Sequence, residues 1–163
     1  MPLTKEEVRA KIAEMGISFE VTEHAPVYTI DEMKEIEGMK IEDVCKNLFL
    51  RDEKGKRHFL VVLDEAKSAD LKAIRGQIGS TRLSFASEER LMANLGLTKG
   101  AVTPLGVLND CAANVELLID EDLRGRPRLG LHPCDNRETL WLSFADLEKI
   151  IAARGNSVKF IKI

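Results

Sequence analysis

The chain has 163 residues, 44% of them hydrophobic and 31% charged, which is enough for one domain with a real core and too little for two comfortable ones. No apolar run approaches the ~20 residues needed to span a bilayer, and the charged, amphipathic start MPLTKEEVRAKIAEMG is unlike a signal peptide. A net charge of −3 excludes a general nucleic-acid binder, whose nonspecific affinity comes from clustered Lys and Arg.

Thr4 is placed to cap a helix that starts at Lys5, repeats apolar residues at Val8, Ile12 and Met15, and stops at Gly16. Ile17 to Thr22 alternates as a half-buried strand does, and His24-Ala25-Pro26 breaks it. A second helix is predicted from Asp31 to about Gly38. Between Val44 and Leu63 two apolar runs flank the polar turn Asp52-Glu53-Lys54-Gly55-Lys56, the pattern of a hairpin of central strands. Ala69 to Ile78 and Ser87 to Leu95 carry helical spacing, the second introduced by a Ser cap.

Gly96 to Gly106, with its glycines and one proline, reads as a shaped loop rather than a regular element. Val115–Ile119, Leu129–His132 and Thr139–Leu142 read as short strands. Ser143 caps a helix running to about Arg154, Gly155-Asn156 ends it, and Val158–Ile163 is a last strand. About seven strands and five helices without a βαβ rhythm predict a mixed α+β fold. Residues 1–163 are expected to form one domain.

Three odd, widely spaced cysteines, Cys45, Cys111 and Cys134, suggest neither a disulfide framework nor a zinc site, and reduced thiols in a cytoplasmic protein are expected. No nucleophile elbow, phosphate loop, HExxH or dinucleotide fingerprint is present. Polar residues in unusual places remain. Lys46, with Asn47 at the start of a strand, either faces solvent or projects into a cleft as a fixed positive charge for a phosphate, a carbonyl or an oxyanion. The stretch Gly100 to Gly106 is either an ordinary connection or a loop whose backbone approaches a ligand. Gly130-Leu131-His132-Pro133-Cys134-Asp135-Asn136 ends a strand in a histidine that is either structural or a base or donor, with Asn136 free to orient a substrate or water. His24, before Ala-Pro, is a weaker candidate for a cleft. Arg51, Lys54, Lys56 and Arg57, and Arg124, Arg126, Arg128 and Arg137, are either solvated charge or local RNA contacts.

Lys46-Asn47-Leu48, Gly100-x-Val102-Thr103-Pro104-x-Gly106 and His132-Pro133-x-x-Asn136, in this order over nearly the whole chain, resemble the YbaK-like prolyl-tRNA editing family. The resemblance implies a mixed, partly barrel-like β-sheet flanked by helices and a hydrolase of mischarged aminoacyl-tRNA, most similar to the free-standing branch that removes alanine from proline tRNA. It implies Lys46 as the functional residue, with Asn47, Gly100, Val102, Thr103, Pro104, Gly106, Gly130, His132 and Asn136 around the substrate. The implied partners are the acceptor end of proline tRNA and prolyl-tRNA synthetase, with no cofactor, metal or membrane. Removal of cysteine from the same tRNA, and a non-catalytic module binding tRNA or a synthetase through Arg124 to Arg128, are the alternatives. A Cys45 thiol activated by its lysine neighbour is a third, minor route.

Overall fold

The computed structural model describes residues 2–26, 31–32, 35–36 and 40–163, leaving aside the side chain of Ile41. The helix predicted between Asp31 and Gly38 falls largely outside them.

The first helix, α1 (Lys5–Glu14), begins as its sequence requires. Thr4 Oγ1 accepts from Glu7 N, and the Glu7 carboxylate accepts in return from Thr4 N, a reciprocal capping box. Val8 and Ile12 form its buried stripe. After it come β1 (Glu20–Glu23), a short 3-10 turn (Ile41–Asp43), and the hairpin of β2 (Cys45–Arg51) and β3 (His58–Asp64). Helix α2 (Leu71–Ile78) starts on Asp70 and ends at Gly79. The two-residue strand β4 (Ser84–Phe85) and helix α3 (Glu88–Leu95), capped by Ser87, follow. A 3-10 helix (Pro104–Asn109), β5 (Val115–Asp120), a 3-10 turn (Glu121–Leu123), β6 (Leu129–Leu131), β7 (Glu138–Leu142), α4 (Phe144–Arg154) and β8 (Val158–Ile161) complete the chain.

The strands form two sheets, ordered β4-β2-β3-β5-β8 and β1-β7-β6. In the larger one β2 runs antiparallel to β3 and β4, whereas β3–β5 and β5–β8 are parallel. The smaller sheet is antiparallel. An isolated parallel bridge between Val44 and Gly130 joins the two. The fold is therefore the expected mixed α+β, but as two bridged sheets rather than one curved toward a closed barrel.

Strand β3 is apolar from Phe59 to Leu63 because both of its faces are covered there. Leu60 and Val62 join Leu117 and Ile119 in a core shared with α1, α3, α4 and the small sheet's Leu129, Leu131, Leu140 and Leu142. Phe59, Val61 and Leu63 face the other way, toward Ile74 of α2 and Ile161. Two sequence expectations need correction. The glycine-rich stretch is not loop throughout, since Thr103 caps a 3-10 helix with Pro104 in its first turn. The strand count misses β4, which is too short to carry a period.

Candidate active site

Strand pairing brings two of the three motifs together, and one side-chain hydrogen bond adds the third. The Val44–Gly130 bridge lays the start of β2 against β6, so Lys46 and His132 each lie two residues beyond a shared junction. Asn47, next along β2, donates through Nδ2 to the Val102 carbonyl at 3.1 Å, tying the glycine-rich loop to the lysine's strand.

Lys46 is half-buried, and its ammonium donates to the Lys67 carbonyl at 3.2 Å. Beside it the Glu65 carboxyl is pushed up by burial, against the pull of the Lys46 charge. The Asn47 amide has its Nδ2 committed to Val102, while its Oδ1 is buried without a hydrogen-bond partner among the described residues. A buried acceptor left open costs stability unless something fills it.

The loop holds its shape through local chemistry. Gly100 sits at φ +91°, in the left-handed region that favours glycine. Thr103 is fully buried, and its Oγ1 accepts from Leu105 N at 3.3 Å. Val102 is half-buried at the loop's edge. Gly106 and Gly130 are buried where a Cβ would meet Leu97 Cδ1 at 2.8 Å and the Trp141 ring at 2.7 Å respectively, so both lack a side chain to let a neighbour pack.

His132 Nδ1 donates to the Glu138 carbonyl at 3.0 Å. A carbonyl only accepts, so the neutral ring carries its proton on Nδ1 and its lone pair on Nε2. Burial holds this imidazole below its usual 6.5, and a neutral ring results at pH 7. His24 lies edge-on to it, with ring centroids 6.3 Å apart. It donates through Nδ1 to Ala25 O and accepts through Nε2 from the Thr139 hydroxyl, both at 2.9 Å. The histidine judged the weaker candidate from sequence thus stands beside the stronger one. Asn136 is half-buried in the turn after β6.

The arginines do not form a free basic patch. Arg124 lies over the Phe160 ring at 4.3 Å and Arg128 over Trp141 at 4.2 Å. Arg126 pairs with Asp64 at 2.7 Å, and Arg137 grips Asp135 with two donors, holding that carboxyl at about 2. In the other basic cluster Arg57 makes a bidentate pair with Glu116. The surroundings of Cys45 run against the activated-thiol route: the residue is buried and its thiol is pushed up to about 12, chiefly by desolvation. Among the described residues no group of three or more His, Cys, Asp or Glu side chains is arranged to hold a metal ion.

Sequence reasoning missed Glu65 and Lys67, which lie against Lys46, and Asp120, which pairs with Lys67. No local signal marks them, because a charged residue at a strand end reads as the start of a turn.

Two bridged sheets thus bring a half-buried lysine, an open amide oxygen tied to the glycine-rich loop, and a neutral histidine onto neighbouring strands. The aminoacyl-tRNA editing domain family matches residues 24–150, and this chain belongs to that family. It is 52% identical over 159 residues to the prolyl-tRNA editing protein ProX of Acetoanaerobium sticklandii, spanning 98% of this chain and 97% of that one. It is 32% identical over 155 residues to prolyl-tRNA synthetase associated domain-containing protein 1 of Mus musculus, covering 92% and 90% of the two chains. A crystal structure of a candidate trans-editing enzyme for prolyl tRNA synthetase superposes with a TM-score of 0.73 at 22% identity over 99% of each chain, a likeness of fold.

Proposed function

We propose that residues 1–163 form a single free-standing deacylase domain that hydrolyses the ester joining alanine to the 3′ end of proline tRNA. The observation that carries this reading is the hydrogen bond from Asn47 to the Val102 carbonyl, which joins the lysine strand to the loop in a chain of this family. The choice of proline tRNA is supported by the name of the 52%-identical relative.

An aminoacyl ester is already activated, so hydrolysis needs a placed water, a partner for the developing oxyanion and a small pocket. The Lys46 ammonium supplies fixed positive charge for the ester oxygen or the terminal nucleotide. The open Asn47 Oδ1 accepts from the substrate's α-ammonium. Neutral His132, with its lone pair on Nε2, accepts from the attacking water or a ribose hydroxyl, and the substrate's own vicinal hydroxyl assists. Asn136, Gly100 and the Val102-Thr103-Pro104 backbone complete the surroundings. A synthetase pocket shaped for proline rejects the smaller alanine weakly, each missing methylene being worth ~1–3 kcal/mol, whereas a rigid wall at Val102 to Pro104 excludes proline from a second, smaller site.

Prolyl-tRNA synthetase would generate the mischarged substrate, and the reaction would take place in the cytoplasm. Among the described residues no helix is long and apolar enough to cross a membrane. Arg124, Arg126, Arg128 and Arg137 would reach RNA only by exchanging their present partners.

The test is hydrolysis of alanyl-, cysteinyl- and prolyl-tRNA bearing the proline anticodon, with wild type and with Lys46→Ala. Loss of alanine alone, slowed ~10²–10³-fold by the substitution, is the expected result. Survival of all three esters at the spontaneous rate would overturn the enzymatic reading in favour of an RNA-binding module.

A further inference from the structure

The Lys46 ammonium is held by a main-chain carbonyl, and what fixes that carbonyl is unusual. The carbonyl belongs to Lys67, in the turn that follows β3. The turn is closed locally by Ala66 N donating to Asp64 Oδ1 at 2.9 Å and Lys67 N donating to Asp64 O at 3.0 Å. Its far end is clamped by the side chain of Lys67 itself. That ammonium donates to the Asp122 carboxylate at 2.5 Å and to Ile163 O at 3.1 Å, and it forms an ion pair with Asp120 Oδ2 at 2.8 Å. Asp120 is fully buried at the end of β5 and also caps the following 3-10 turn through Oδ1. The parallel pairing of β3 with β5, Val62 opposite Ile119, sets the two strand ends side by side and leaves Lys67 within reach of Asp120.

A surface lysine tethered by one exposed carboxylate would confine nothing, since such pairs are weak. A carboxylate withdrawn wholly from water holds its partner far more tightly, because an unpaired buried charge is costly. We propose that Lys67 is a positioning residue for Lys46: anchored on Asp120 and Asp122, it fixes its own carbonyl as the acceptor that aims the Lys46 ammonium at the substrate. Lys67 itself touches no substrate. The inference rests on the editing role of Lys46, but the coupling of the two lysines is testable without any substrate.

Lys67→Met keeps the stem and removes the anchor. The pair Lys67→Met with Asp120→Asn removes both charges, so a folded protein is available if the single change leaves Asp120 too costly to bury; thermal melts confirm folding of each. The first readout is acylation of Lys46 by an amine-reactive reagent, followed by peptide mass mapping. Release from the carbonyl is expected to raise its labelling several-fold over wild type, with other lysines unchanged. The second is deacylation of alanyl-tRNA in a double-mutant cycle. The Lys67 change is expected to lower kcat by up to ~10²-fold with KM little altered, and to have almost no further effect in the Lys46→Ala background, because residues acting as a unit are not additive. Unchanged labelling of Lys46, or losses that multiply across the cycle, would overturn the proposal. If wild type hydrolyses no ester, the functional reading fails, and labelling alone decides whether Lys67 positions Lys46.

Discussion

The His132 imidazole shows how one residue's surroundings set its chemistry. Its Nδ1 proton is fixed by the Glu138 carbonyl, and burial depresses its basicity below 6.5. Protonation in acid then disables it, so the acid limb of the kcat/KM profile for alanyl-tRNA is expected to have an apparent pKa below 6.5. A limb well above that value would remove His132 from the role of acceptor. Stability has a matching sign. The unfolded chain takes up this proton at a higher pH than the folded one, so the contribution to stability is lost as pH falls below 6.5. The buried thiols give a second expectation at this scale. Cys45 and Cys134 are both pushed up to about 12 by burial while Cys111 is exposed, so one equivalent of a thiol reagent should modify the native protein quickly, at Cys111. Rapid reaction at Cys45 would revive the thiol route.

Among the elements, α1 is fastened to the small sheet by charge as well as by Val8 and Ile12. Glu138 of β7 is wholly buried, and Lys5 and Arg9 of α1 approach its carboxylate at 3.1 and 3.6 Å. Taking both cations away strands a buried carboxylate, and Lys5→Ala with Arg9→Ala is expected to cost about 3–5 kcal/mol in chemical denaturation. Replacing all three partners by apolar residues should cost less, and a larger loss there would count against the explanation. Strand β6 depends on a bare backbone at Gly130. Gly130→Ala drives a methyl into the Trp141 ring, an overpacking worth about 1–3 kcal/mol, which should appear as a lower melting temperature and altered Trp141 fluorescence. These elements were legible to different degrees. The cap at Thr4, the hairpin of β2 and β3 and the Ser143 helix follow from local spacing and were foreseen nearly to the residue. β4 and the 3-10 helix at Pro104 were not, because two residues carry no period and a Gly-Pro stretch is compatible with many shapes.

For the whole molecule, the two sheets share one apolar core, in which Leu60 and Leu117 of the larger meet Leu131 and Leu140 of the smaller. Neither sheet can lose its partner without exposing that surface, and a single cooperative unfolding transition is expected. The sole tryptophan, Trp141, lies in the small sheet, so its fluorescence should melt together with the far-UV circular dichroism, which is weighted toward the helices. Separate transitions would mean two units rather than one.

The sequence by itself determined the mixed α+β class, the order of the longer elements and the three motifs, because capping, hydrophobic period and turn chemistry are local properties read within a few residues. Only the tertiary structure decided that His24 stands against His132, that Asn47 reaches across 55 positions to Val102, and that Lys67 is gripped by Asp120. Those contacts depend on strand order and register, and parallel pairing of distant strands such as β3 and β5 leaves no periodic trace in the chain. It likewise decided that the arginines are engaged on aromatic rings and carboxylates, since a charge is visible in a sequence but its partner is not.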